Sequence, residues 1–230
     1  MNAATILGTA SVIALWAPVV LILVLQMWNR PGLLALLFYY VFVGLTNSYQ
    51  QKLVPLPKDF AQFFNTLGNF LDVPLMLISF TAIAINAQVR RQLLVSLALF
   101  SAYILFAALY FGWSHKSAMY VMGPGIIVIM WYSIIHFNHF TRMAIERNRG
   151  VGQSMMSAAV FFAYGCYGII YWLAFINRES ALREVMFIYY IVNLLSAVLM
   201  SIGLVYLHRH NKQIDEVQQT RRELAIFFDN

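Results

Sequence analysis

One acidic residue, Asp72, falls inside the long apolar stretches of this chain, and none of its four lysines (Lys52, Lys58, Lys116 and Lys212) does. A carboxylate in hydrocarbon is costly, so it is expected to face a protein interior or a water-filled cavity, where it can relay a proton, coordinate a cation or anchor a polar ligand group. Asn65, Asn69 and Asp72 recur at i, i+4 and i+7, which puts them on one helix face. That face must look inward, because three hydrogen-bonding groups presented to lipid would be unfavourable. Asn193, Ser196 and Ser201 in the seventh apolar stretch, and Thr46, Asn47 and Ser48 in the second, are available as partners. The same pattern also suits a structural hydrogen-bond network between helices.

Aromatic residues accumulate late in the chain: Trp131 and Tyr132, then Tyr164, Tyr167, Tyr171 and Trp172, then Tyr189 and Tyr190. Tyr164, Tyr167 and Tyr171 share a helix face by spacing and with Trp131 and Tyr132 are candidates to line a pocket for a flat hydrophobic ligand. An aromatic stripe also suits packing or an interfacial belt. His136 and His139 stand at i, i+3, with His208 and His210 further on. A helical HxxH with no carboxylate nearby carries little metal signal, so these histidines are expected to lie at the membrane interface, and no metal site is assigned. HExxH, GxSxG and phosphate-cradling glycine loops are missing, so nothing points to an enzyme.

The elements that must position these residues follow from composition. Of 230 residues 61% are hydrophobic and 10% charged, too apolar a balance for an ordinary soluble domain. Seven stretches can cross a hydrocarbon core of about 30 Å as helices: Thr5 to Trp28, Leu33 to Tyr49, Phe64 to Ala87, Leu93 to Trp113, Met119 to Phe140, Ser154 to Ile176 and Val185 to Leu207. The period-2 alternation of a membrane β-barrel is absent. The expected fold is all-α: a polytopic seven-transmembrane-helix bundle. The first stretch has no basic leading region and is too long for a cleaved signal. Cys166 is the single cysteine, which excludes an intramolecular disulfide.

Arginine and lysine concentrate on alternate connections. Arg30, Arg90, Arg91, Arg142, Arg147, Arg149, Arg209, Lys212, Arg221 and Arg222 flank one set of ends, and Lys52, Lys58, Lys116, Arg178 and Arg183 the other. The richer set marks the cytoplasmic side, so the amino terminus is expected outside and the carboxy terminus inside. The formal charge of +6 then reflects topology and attraction to anionic headgroups rather than nucleic acid. Residues 1–207 form the expected transmembrane domain, set in a bacterial inner (cytoplasmic) membrane, and 208–230 an amphipathic cytoplasmic tail. Ile214, Val217, Arg221, Leu224 and Phe228 follow near-heptad spacing, suited to lying on lipid or pairing with another helix. A signalling partner contacting the tail and a homo-oligomer are the partners this leaves open.

Three segments resemble the microbial rhodopsins. Leu71-Asp72-Val73-Pro74-Leu75-Met76-Leu77 is similar to that family's third-helix TxPLLL segment, with Asp72 at the threonine position, and the usual arginine and counter-ion carboxylate fall near Asn65 and Gly68. Phe161-Phe162-Ala163-Tyr164-Gly165 is similar to the sixth-helix WSAYP segment, and Ile202-Gly203-Leu204-Val205-Tyr206-Leu207 to the inner end of the seventh helix, which puts Leu199 where the retinal-binding lysine belongs. The resemblance implies an opsin-like receptor or sensory-type protein with no covalent retinal. A retinoid or carotenoid held noncovalently, or no ligand at all, is what that leaves, with signalling through the tail. A proton, ion or small-solute translocator using Asp72 is the second expectation. The three-plus-one-plus-three arrangement of sugar transporters would pair Asp72 with Asn193, but Leu75 stands where their proline–glutamine pair would need glutamine.

Overall fold

The computed structural model describes residues 3–55, 57–147, 149–173 and 182–228. Seven helices in it are long and apolar enough to cross a membrane, which marks an integral membrane protein. They are α1 (Ala3–Val24), α2 (Pro31–Gln50), α3 (Lys58–Ala82), α4 (Ala87–Phe111), α5 (His115–Arg147), α6 (Val151–Tyr171) and α7 (Leu182–Phe228). The first expected span ends early: Gln26 adopts φ 52°, and Met27–Asn29 form a 3₁₀ turn before Pro31 opens α2. A left-handed residue cannot continue a right-handed helix, and proline at the first helical position is preorganised to start one. Two starts lie upstream of the apolar runs. α3 begins at Lys58 rather than Phe64, and α4 at Ala87, where Asn86 Oδ1 accepts from the Val89 amide at 2.8 Å as an N-cap. The expected end of the sixth span at Ile176, and Arg178 beyond it, lie outside the described residues.

The helices α1, α2, α3, α5, α6 and α7 close a ring in which each packs on the next and α7 returns to α1, while α4 lies outside against α3 and α5. Accordingly α4 buries only Leu93, Phe100 and Ala107, and Leu99, Leu105, Phe106 and Leu109 are exposed. A wholly apolar outer face is what a lipid solvent selects. The core runs through the ring, with Ile22, Leu36, Leu77, Ile129, Met200 and Leu204 among its most enclosed side chains.

Pro18, Pro74 and Pro124 sit inside helices. Each removes an amide donor and frees the carbonyl four residues earlier. For Pro124 that carbonyl belongs to Tyr120, and the Tyr103 hydroxyl of α4 donates to it at 3.0 Å, the kind of substitute partner that makes proline tolerable in a membrane helix. Two further contacts set helix spacing. Gly32 of α2 lies against the Ala82 backbone of α3, and Gly152 of α6 against the Leu207 backbone of α7. α7 continues without a break to Phe228. The near-heptad positions Ile214, Val217, Leu224 and Phe228 are on helical backbone, but their side chains lie outside the description.

Candidate functional site

A cavity of about 340 Å³ opens among α2, α3 and α7 at the end of the bundle that carries the α2–α3 connection. Asn65, Asn69 and Asp72 all line it, so the polar face of α3 does look inward. From α2 come Tyr39, Phe42, Thr46, Asn47 and Gln50, and from α7 Val185 and Tyr189. A second space of about 380 Å³ adjoins it between α2 and α3, shares Thr46, Gln50 and Asn65 with it, and reaches Lys58. In the other direction the cavity stops. Leu36, Met76, Phe80 and Met200 are each at most 2% exposed and, with their neighbours, leave a void of about 10 Å³, at the lower limit for a single water.

Asp72 sits deep in the bundle yet keeps accessible surface, because it faces the cavity. Its Oδ1 accepts from the Tyr164 hydroxyl of α6 at 2.9 Å, and Tyr39 lies within electrostatic reach of Asp72, Tyr164 and Tyr167. From Tyr164 the polar chain continues: its ring meets Tyr167 edge-on with centroids 5.7 Å apart, and the Tyr167 hydroxyl donates to Asn193 Oδ1 of α7. On the cavity wall Asn47 Nδ2 donates to the Val43 carbonyl at 2.8 Å and to the Tyr189 hydroxyl at 3.0 Å. Just beyond, Gln51 Nε2 donates to the Tyr190 hydroxyl at 2.7 Å. Four helices are thus tied through tyrosine hydroxyls, whose rings fill apolar space while the oxygens meet amides and a carboxylate.

Tyr164→Phe should therefore cost about 1–3 kcal/mol by removing the one donor that Asp72 has among the described residues. The measure is the thermal midpoint in detergent. Combined with Asp72→Asn the loss should be less than the sum, since both remove the same bond.

Not every expected site residue joins this cluster. Trp131 is 65% exposed on the outside of α5, away from Asp72. Tyr132 is buried, but its hydroxyl bonds Ser96 of α4 at 2.8 Å. Tyr171 turns towards α5, where its hydroxyl donates to the Met119 carbonyl at 3.3 Å. Asn193 and Ser196 are buried on α7 without lining the cavity, and Ser196 Oγ donates to the Asn193 carbonyl at 3.3 Å. Leu199 is half-buried and packs against the core.

His136 departs from its expected place at the interface: it is fully buried against Phe80, ring centroids 4.9 Å apart. Its Nδ1 meets the Tyr132 carbonyl at 2.8 Å. A carbonyl only accepts, so Nδ1 carries the proton and Nε2 is a bare acceptor with no partner among the described residues.

Reasoning from sequence passed over Tyr39, Phe42, Gln50 and Tyr189 as site residues. A signal for the three on α2 existed. Tyr39, Phe42, Val43, Thr46, Asn47 and Gln50 follow i, i+3, i+4, i+7, i+8 and i+11, one continuous helix stripe.

Comparison of the chain with protein-family models, with curated proteins and with solved structures returns no match.

Proposed function

We propose that this chain is an opsin-like membrane receptor of sensory type, oriented with its amino terminus outside a bacterial cytoplasmic membrane, that holds a small ligand noncovalently beside Asp72 and signals through its cytoplasmic tail. The observation that carries this reading is the blind cavity. It lies at the end of the bundle that carries the α2–α3 connection and is backed by the apolar layer of Leu36, Met76, Phe80 and Met200. A site reached from one side and closed on the other suits binding and reporting. Its volume falls in the range of small-molecule pockets. Amides and a carboxylate beside aromatic rings favour a ligand with an apolar body and a polar head, rather than the wholly hydrophobic molecule the sequence first suggests.

The path to the tail is short. Tyr189 lines the cavity, and it belongs to the helix that runs unbroken to Phe228. A ligand that favours one packing of α7 against α2 and α3 over another shifts the population of the two, and a continuous helix carries that shift to residues 208–228. Protein purified from its native membrane should release a small molecule on solvent extraction. Hydrogen exchange over residues 208–228 should change when that molecule is removed and return when it is restored.

The second reading, a translocator working through Asp72, is favoured by the carboxylate's open face on the cavity. It requires the apolar layer to part during a cycle. Solute flux into vesicles that is lost in Asp72→Asn, with tail exchange unaltered, would select it over signalling.

A further inference from the structure

Among the described residues the cavity has acceptors to spare and no cation to meet them. Asp72 receives one hydrogen bond among the described residues, at Oδ1 from Tyr164. The orientation of the Asn47 amide is fixed, because the Val43 carbonyl can only accept and so must face Nδ2. Nδ2 then spends its two hydrogens on Val43 and Tyr189. That leaves Asn47 Oδ1, on a residue 1% exposed, as a buried acceptor without a partner among the described residues. Both Asp72 and Asn47 line the same cavity.

Among the described residues the lining contains no lysine, arginine or histidine. Lys58, at the far end of the adjoining space, stands fourteen residues before Asp72 on α3, about 21 Å along the helix axis, and cannot neutralise it. The remaining walls are aromatic: Tyr39, Phe42 and Tyr189. Rings attract a cation over their faces, while a carboxylate and an amide oxygen call for N–H donors.

Other ligand classes fit less well. A bare metal ion needs several oxygens closing on it at about 2.0–2.6 Å, whereas a space of about 340 Å³ has the size of a small-molecule site. An anion would face Asp72 with nothing among the described residues to offset the repulsion. A neutral hydrocarbon would cover Asp72 with no donor beyond Tyr164 and leave Asn47 Oδ1 with none, at a desolvation cost for both.

We propose that the cavity binds a small organic ammonium compound, a protonated primary or secondary amine whose N–H groups go to Asp72 and Asn47 Oδ1 and whose apolar body lies against Tyr39, Phe42 and Tyr189. The proposal rests on the reading of this cavity as a ligand site and adds the chemical class. The two acceptors set the preference for an amine with hydrogens to donate over a quaternary ammonium, which could use only the rings.

The test uses the full chain in lipid nanodiscs and two probes of similar shape, phenethylammonium and the uncharged 2-phenylethanol, with binding followed by calorimetry and by the shift in thermal midpoint. Phenethylammonium should bind the unaltered protein at least about tenfold more tightly than the alcohol, the discrimination expected of a charge-assisted hydrogen bond in a partly dry site. In Asp72→Asn the two probes should come within about threefold of each other. Equal affinity of the two probes for the unaltered protein overturns the ammonium class, and this comparison needs no variant to fold. Unchanged phenethylammonium binding in Asp72→Asn overturns it too. Failure of both probes, with an uncharged molecule extracted from the natively purified protein, overturns the class but leaves the cavity a ligand site. Failure of both with nothing extracted overturns the class and the ligand site together.

Discussion

Gly152→Leu should prevent α6 and α7 from closing and cost about 3 kcal/mol, the upper end of what overpacking ordinarily does. The reason is that nothing near this glycine can yield. A Cβ built there falls 2.6 Å from the Leu207 nitrogen and 2.7 Å from the Gly203 carbonyl oxygen. Gly203 faces the same constraint from the other side, with a Cβ 2.9 Å from the Gly152 oxygen. Small residues that let two backbones touch are a main source of helix association in lipid, where burying apolar surface gains nothing over contact with acyl chains. Gly165→Ala, on the same helix with nothing within 4 Å of its Cβ, is the matched control and should be neutral or slightly stabilising. The readouts are the monodisperse fraction after detergent extraction and the thermal midpoint. A Gly152→Leu protein as stable as the control would mean that the two helices do not meet there. The position would also bear on the proposed signalling, because this contact clamps α7 at Gly203 and Leu207.

What could be read from the sequence depended on how many environments share one signature. The seven spans were legible because a membrane crossing needs about twenty apolar residues, and few other elements do. The inward face of α3 was legible for a related reason: Asn65, Asn69 and Asp72 cannot all face lipid, so their spacing alone oriented the helix. Tyr164 was found from its place in the stripe Tyr164, Tyr167, Tyr171, but its hydrogen bond to Asp72 depends on how α6 is rotated against α3. Trp131 shows the opposite case. An aromatic ring suits lipid and interior equally well, so no pattern within α5 tells that Trp131 faces out while Tyr132 faces in. Tyr39 was hidden by its neighbour Tyr40, since two adjacent tyrosines blur the stripe to which only one contributes cavity surface. His136 was misplaced because burial of a neutral imidazole depends on a backbone carbonyl, Tyr132's, that sequence does not display.

Added all-trans-retinal should form no borohydride-reducible adduct on α7 within the bundle, because Val185 to Leu207 contains no lysine, and peptide mapping after reduction checks this. The informative variants put a lysine there, and the structure changes which one to favour. Alignment of the seventh-helix segment points to Leu199. Asn193, however, accepts from the Tyr167 hydroxyl, and at about 100° per residue Leu199 lies about 120° around the helix from it. Ala197 lies only about 40° from Asn193 and is fully buried, whereas Val198 is 45% exposed. Ala197→Lys therefore sends the amine towards the interior that holds Tyr164 and Tyr167, with Asp72 as the available counter-ion across the bundle. If the resemblance to microbial rhodopsins reflects a shared site, Ala197→Lys should give a visible band to the red of free retinal, and Leu199→Lys a weaker one or none. A band from Leu199→Lys alone would restore the original alignment and imply that α7 is rotated from the orientation described. No band from either variant, each shown to be folded by its thermal midpoint, would reduce the likeness to the geometry that any seven packed membrane helices share.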